Sequence, residues 1–269
     1  MKDVNKDIKF PTTEIYSVSD IKEVQCVLLE MTKVIVKIFE KHNIPYFMAF
    51  GTLIGAIKFK GFLPWDDDID LFLFDDSYDK AMELLEEYLP NNLIVHGEKN
   101  DPHYFLGWNS VKNINTAIEI ADIYHPHNKL LSYKCLGVDL YRLKKINRGE
   151  LDSYKYNEAR KFFERKLSKK IISNNEYNEE INKLKLKRNK ELDSSNCFYD
   201  EFFFFVVKVN KPIALDAVLP LKKIDFEDVQ FYAPNDPLAV LSCSFSGLDK
   251  LPAYEQRKPH IKSFKFLAD

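Results

Sequence analysis

Between Ser19 and His42 apolar residues return every three or four positions: Ile21, Val24, Leu28, Met31, Ile35, Ile38 and Phe39. That spacing puts one apolar stripe on a helix. Ser19 can cap its start, Asp20 and Glu23 suit its positive end, and Pro45 blocks its continuation. The pattern then predicts a short strand over Tyr46–Phe50, a short helix over Thr52–Phe59 opening after Gly51, and a loop over 61–65. Ile69–Phe74 reads as a strong strand and Ser77–Tyr88 as an amphipathic helix stopped at Pro90. Further strands are predicted at Tyr104–Trp108, Ala117–Tyr124 and Leu136–Leu143. From Glu150 to about Glu191 the chain turns rich in Lys, Glu, Asn and Tyr, and reads as two helices broken near Ser173 to Asn175. Residues 217–234 predict two strands, and Pro237–Ser244 a short helix. Strands and helices interleave, so the fold class is mixed α and β. The expected organisation is an N-terminal extension over 1–18 and one domain over 19–269, with a helical insertion at about 150–195.

Composition changes this little. The 269 residues are enough for a sizeable core, and 45% hydrophobic with 30% charged residues is ordinary for a globular protein. A net charge of −2 gives no global attraction to nucleic acid or an anionic membrane, and no nucleic-acid partner is expected. The longest purely apolar run, Phe202–Val207, is too short to span a bilayer, so no integral membrane segment is expected. The first seventeen residues lack the apolar stretch of a secretory signal, and the expected location is cytoplasmic. Cys26, Cys135, Cys197 and Cys243 show no ligand spacing and read as buried free thiols. His125 and His127 sit in a polar stretch that reads as a surface turn.

The segment FGTLIGAIKFKGFLPWDDDIDLFLF, residues 50–74, sets Asp66, Asp67, Asp68 and Asp70 within five positions. Alternation on a strand puts Asp68 and Asp70 on one face, with Ile69 and Leu71 on the other. Two neighbouring carboxylates repel unless a cation neutralises them or one binds a proton. Mg²⁺ suits such a pair because it takes oxygen ligands and substrate phosphates; Mn²⁺ is the alternative. Asp66 and Asp67 read equally well as a polar turn. Upstream, Gly51 lets the backbone approach a ligand closely, and the helix N-terminus after it favours an anion. Thr52 can cap that helix or offer its hydroxyl to a phosphate oxygen. Asp139, alone among apolar neighbours in CLGVDLYRL, is the candidate for a third acid, as metal ligand or base. A buried core acid is the competing reading for it.

GTLIGAIKFKGFLPWDDDIDLFL closely resembles the signature of the LicD family, which also includes the fukutin-type proteins. VKNINT, GVDLY, LPLKKIDFEDVQFYAPNDPLAVL and LPAYEQRKPH resemble later elements of that family in the same order, so the likeness runs from about Ser19 to His260. Two departures stand out: Lys58-Phe59 replaces a common Arg-His pair, and a proline is missing near Arg142. Lys58 keeps the positive charge but not a guanidinium fork.

The resemblance implies a nucleotidyltransferase-like fold, with a central mixed sheet flanked by helices. It implies a transferase that takes a phospho-alcohol from a CDP-alcohol donor, CDP-choline first among them, and places it on a sugar hydroxyl, releasing CMP. The acceptor would be a surface glycan (lipopolysaccharide, teichoic acid or capsule) or a lipid-linked oligosaccharide, with the enzyme peripheral at the inner face of the membrane. Asp68, Asp70 and Asp139 would be the catalytic acids and the metal ligands. Gly51, Thr52, Lys58, Lys60 and Lys112 would contact phosphate, joined by Arg257 and His260 from the C-terminal segment. Trp65, Trp108 and Tyr104 are candidate faces for a quaternary ammonium, with buried core the preferred reading for each. A nucleotidyltransferase moving NMP from an NTP, and a non-catalytic scaffold member of the same fold, are the alternatives.

Overall fold

The computed structural model describes residues 15–17, 21–120, 130–147, 150–192, 202–205, 212–245 and 258–267. The first strand, β1 (Ile15–Ser17), is followed by α1 (Ile21–Lys41), β2 (Tyr46–Met48), α2 (Phe50–Phe59), β3 (Ile69–Phe74) and α3 (Asp75–Tyr88). Then come β4 (Leu93–His96), β5 (Asn109–Asn113), β6 (Thr116–Ile120), β7 (Gly137–Asn147), α4 (Leu151–Ser168) and α5 (Asn174–Leu192). The remainder is β8 (Phe202–Phe205), β9 (Ile213–Ala214), α6 (Leu215–Val218), β10 (Lys222–Phe226), β11 (Val229–Ala233), α7 (Pro237–Ser242) and β12 (Ile261–Phe266).

The central sheet runs β2-β3-β7-β5-β4, extended by β8 and β9. Among the described residues only β3 and β7 pair in parallel, so the sheet is mixed, as the resemblance implied. All six residues of β3 are buried, which is why its sequence is almost continuously apolar. β7 is long enough to serve twice: its first half pairs with β3 and β5, its last four residues with β8. A second sheet, β1-β12-β6, takes in three residues of the N-terminal stretch.

Helix α1 packs against α3 and β7. Leu28, Met31, Ile35 and Phe39 are wholly enclosed, which contributes roughly 2 kcal/mol each. The helix ends in a left-handed residue, Asn43 (φ 55°). Ile44 N–H donates to Phe39 O (2.9 Å) and Asn43 N–H to Glu40 O (3.3 Å), the Schellman pattern that satisfies the last carbonyls.

The structure corrects several local expectations. Tyr104–Trp108 is not a strand: Tyr104 and Phe105 are both buried in an irregular segment, and the strand begins at Asn109. The Tyr104 hydroxyl bonds to Trp108 O and closes the segment into an irregular turn. β4, β8, β9 and β12 were not predicted. Helix α2 starts at Phe50 rather than Thr52. The inserted helices do form, broken between 169 and 173, and α4 docks on the irregular turn through Phe162 against Phe105 (6.1 Å) and Arg165 Nε on Phe105 O (3.3 Å). Cys26 is an exposed free thiol, Cys135 a buried one and Cys243 half-buried, while Cys197, His125 and His127 lie outside the described residues.

Candidate active site

Between β2 and α2 the chain turns through Phe50, held at φ 43° in the left-handed region. A non-glycine residue there is strained. Its ring is fixed edge-on by Phe72 (5.0 Å) and Tyr141 (5.2 Å). Gly51 follows, and a Cβ on it would lie 2.8 Å from Asp66 Oδ2. The close approach that Gly51 permits is therefore to the chain's own carboxyl group. Thr52 is buried, and its Oγ1 accepts a hydrogen bond from the Asp70 backbone N–H at 2.9 Å. It therefore ties α2 to the start of β3. Replacing Thr52 with Val keeps the shape but leaves that buried N–H unpaired. Thr52→Val should cost about 1–3 kcal/mol in urea unfolding, and an unchanged midpoint would contradict this role for the hydroxyl.

The loop carrying the aspartates is held from both sides. From α1, the buried Gln25 donates through Nε2 to Leu63 O (3.0 Å) and Asp66 O (2.9 Å). From the turn between β10 and β11, Glu227 Oε1 accepts from Phe62 N–H (3.0 Å), and Glu227 N–H donates to Lys60 O (2.7 Å). Phe226 packs on Phe62 with ring centres 4.9 Å apart. The Phe-Glu element thus fastens the first motif. VKNINT is likewise structural: Thr116 Oγ1 donates to Asn113 O (2.7 Å) and accepts from Leu136 N–H (3.0 Å).

β3 begins at Ile69, so Asp68 stands just before the strand and outside its alternation. Asp70 is on it, directly opposite Asp139 of β7, and Ser110 of β5 is opposite Asp139 on the other side. Direct partners share a face, so Asp70, Asp139 and Ser110 form a row across three strands. Asp139 Oδ2 accepts from Trp108 Nε1 (3.0 Å) and from the Tyr141 hydroxyl (3.3 Å), and those two rings stack at 5.0 Å and 32°.

The side chains that converge most closely are Asp67, Asp68 and His260, whose ligand atoms all lie within 4.8 Å of one another. His260 Nδ1 is 3.3 Å from Asp67 Oδ1 and 3.7 Å from Asp68 Oδ2. Ile261 N–H donates to Asp67 Oδ2 at 2.6 Å, so the start of β12 is pinned to this group. Among the described residues this trio could hold a metal ion, and it shares only Asp68 with the three acids expected from the sequence.

The electrostatics support a cation there. Burial first, then the charges of Asp68, Asp70 and Asp67, push the Asp66 carboxyl well above the usual range. Asp68 is raised by burial and by Asp67, against the pull of His260. Carboxylates suit Mg²⁺ or Mn²⁺, and the imidazole adds a donor that Mg²⁺ seldom takes directly.

Beside this group lies a cavity of about 210 Å³ whose walls include Asp67, Asp68, Asp139, Lys112, Trp108 and His260. Of the expected phosphate-binding lysines, Lys112 is the one at the cavity. Lys58 is exposed on the last turn of α2. Lys60 is the left-handed residue ending that helix (φ 54°), 3.7 Å from Asp225. Arg257 lies outside the described residues. Sequence reasoning missed Asp67 as a metal-group member, Gln25 and the His96–Asp101 pair. A lone Gln on an apolar helix face was the one visible signal for Gln25.

A mixed sheet with acids at the parallel pair of strands, and a glycine turn feeding a helix beside them, defines a nucleotidyltransferase-like protein. The family model for the LicD/FKTN/FKRP nucleotidyltransferase domain matches residues 43–133. Over that stretch the chain is similar to the LicD family. It is 41% identical over 64 residues to the lipopolysaccharide cholinephosphotransferase LicD of Haemophilus influenzae, covering 24% of each chain. An uncharacterized protein of Rickettsia prowazekii is 28% identical over 146 residues, 47% of this chain and 48% of that one. Another, from Rickettsia typhi, is 29% identical over 73 residues, 27% and 23% of the two chains. The matches span at most about half the length of these curated relatives.

Proposed function

We propose that this protein is a divalent-cation-dependent transferase that moves a phospho-alcohol from a CDP-alcohol to a hydroxyl of a glycan, with phosphocholine the first candidate. The observation that carries this reading is the convergence of Asp67, Asp68 and His260 beside a cavity also walled by Asp139 and Lys112. The match of residues 43–133 to the LicD/FKTN/FKRP nucleotidyltransferase domain and the likeness to a lipopolysaccharide cholinephosphotransferase support it.

In this reaction the acceptor oxygen attacks the phosphorus bearing the alcohol, the bond from that phosphorus to the bridging oxygen breaks, and CMP leaves. The acceptor hydroxyl loses its proton. Asp67, Asp68 and His260 would hold Mg²⁺ or Mn²⁺, which when bound supplies charge to offset the negative charge developing on phosphate oxygens. Lys112 contributes a second positive charge from the cavity wall. Asp139 is oriented by two donors that both hold Oδ2, which leaves Oδ1 for the acceptor proton or for the cation. Asp70 is set opposite it by Thr52. Gly51 acts by making room for Asp66. Among the described residues no helix is long and apolar enough to cross a membrane, so a lipid-linked acceptor would be met at the surface.

Thermal unfolding with CDP-choline, CDP-ribitol, CDP-glycerol, CTP and ATP, each with and without Mg²⁺, tests this reading. A CDP-alcohol at a hundred times its Kd should stabilise the protein by about 2.7 kcal/mol, and only with the cation. A response to CTP or ATP alone would instead indicate a nucleotidyltransferase. Silence from all five would leave a scaffold as the better reading.

A further inference from the structure

His96, the last residue of β4, is fully enclosed and lines the same cavity as Asp68, Asp139 and Lys112. Its Nε2 lies 2.8 Å from Asp101 Oδ2. Asp101 also accepts from the N–H of Ser132 (2.8 Å), the Ser132 hydroxyl (2.9 Å) and the N–H of His103 (2.8 Å). Burial works to raise the Asp101 carboxyl, but these hydrogen bonds outweigh it and hold the group below its ordinary value. An ionised carboxylate only accepts, so the His96 proton is on Nε2. Burial, with Lys112 nearby, holds the imidazole below its usual pKa, against the pull of Asp101, so the ring is neutral and Nδ1 carries a bare lone pair.

That Nδ1 is buried and has no hydrogen-bond partner among the described residues. The ring cannot easily turn to find one, because Tyr104 (4.7 Å) and Tyr133 (5.1 Å) flank it edge-on. An enclosed acceptor without a donor is costly, and in native proteins such a group is met by a bound water, ion or ligand or carries a functional role. Here the tautomer and the orientation are both set, and the residue borders a cavity.

The cavity, about 210 Å³, has room for a sugar ring or a short polyol, and its open side lets a larger ligand reach in with one end. Its walls are mixed, with Leu106, Leu131 and Leu136 beside Ser110, Tyr133 and Lys134. The Lys112 charge acts on His96, which disfavours a cationic donor at that point. A neutral O–H fits. A trimethylammonium group has no hydrogen to donate and does not.

We propose that His96 Nδ1 accepts a hydrogen bond from an alcohol O–H of the ligand that fills this cavity, so that His96 selects a hydroxylated group there. The proposal rests on the transferase reading for its ligands, and two sources share the chemistry: the alcohol of the donor or a hydroxyl of the acceptor sugar. His96→Phe removes the acceptor while keeping an aromatic ring between the two tyrosines.

In calorimetric titrations with Mg²⁺, a donor source predicts that His96→Phe weakens CDP-glycerol and CDP-ribitol about tenfold and leaves CDP-choline unchanged. An acceptor source predicts that all three bind as in the wild type, while the saturation-transfer NMR signal of methyl β-D-glucoside, measured with CMP and Mg²⁺, falls at least fivefold. Should the variant fail to fold, ¹⁵N-histidine-labelled wild type decides: the His96 Nδ1 resonance should move on adding the ligand, and Nε2 should stay. Unchanged binding of every probe by a folded variant, or an Nδ1 resonance that none of them moves, overturns the proposal. If the wild type binds no CDP-alcohol but the glucoside still moves Nδ1, the donor half of the transferase reading fails and the role of His96 stands.

Discussion

Asp68→Asn should lower phospho-alcohol transfer by about 10³-fold, the scale expected when the charge that holds a catalytic cation is removed. Asn has nearly the same shape but no negative charge, and Asp68 is the acid shared by the converged trio and the expected DxD pair. The same substitution should not harm folding. The folded state raises the Asp68 carboxyl above its unfolded value, so the folded chain binds the proton more tightly. Stability therefore falls as pH rises from the ordinary carboxylate value near 4 through the raised one, and at neutral pH the ionised group is a burden. Asn removes it. The cation-free variant should melt at or above the wild-type temperature and lose the rise that Mg²⁺ or Mn²⁺ produces. CMP release and calorimetry measure the two halves. Activity within tenfold of wild type would remove Asp68 from the site, and a lower cation-free melting point would contradict the charge crowding.

A large effect on folding is also expected at Gly55, in the middle of α2. A Cβ there would lie 2.4 Å from Gly61 O, 2.9 Å from Leu63 N and 3.1 Å from Phe62 C. All three are backbone atoms of the loop that leads to the aspartates. That loop cannot retreat, because Gln25 holds Leu63 O and Glu227 holds Phe62 N–H. Overpacking of this kind costs about 3 kcal/mol, against which Ala regains about 1 kcal/mol of helix propensity. Gly55→Ala should therefore lose about 2 kcal/mol in urea unfolding. The displaced loop should also weaken the response to Mg²⁺. A variant as stable as wild type would mean that α2 and the loop are not packed this tightly.

These two residues show how unevenly the site could be read along the chain. Asp68 was visible because four aspartates in five positions demand compensation wherever they fold. Gly55 was not, because the atoms that exclude a side chain there belong to a loop folded back by other elements. The roles expected for Gly51 and Thr52 illustrate the same limit. Their sequence suits an anion cradle, yet the folded chain sets Asp66 against Gly51 and gives the Thr52 hydroxyl to Asp70 N–H. Trp108 was a candidate aromatic, but its bond to Asp139 crosses from β5's leading edge to β7 and has no local trace.

By itself the sequence determined β3, the helices α1, α2 and α3, the inserted helical pair, the hairpin of β10 and β11, and the family motif. Each of these depends on interactions within a few residues: apolar period, caps, breakers and turn chemistry. Only the tertiary structure decided which acids meet. Asp67 and Ile261 are 194 positions apart, and nothing near either one encodes the bond that brings His260 to the aspartates. Nor could local pattern find Gln25 under the loop, the His96–Asp101 pair beside the cavity, or β12 joining β1 to β6. The physical reason is common to all of them. Helical and strand periods record which side of an element faces the core, whereas a site is made where separate elements pack together, and that choice is set by the whole core at once.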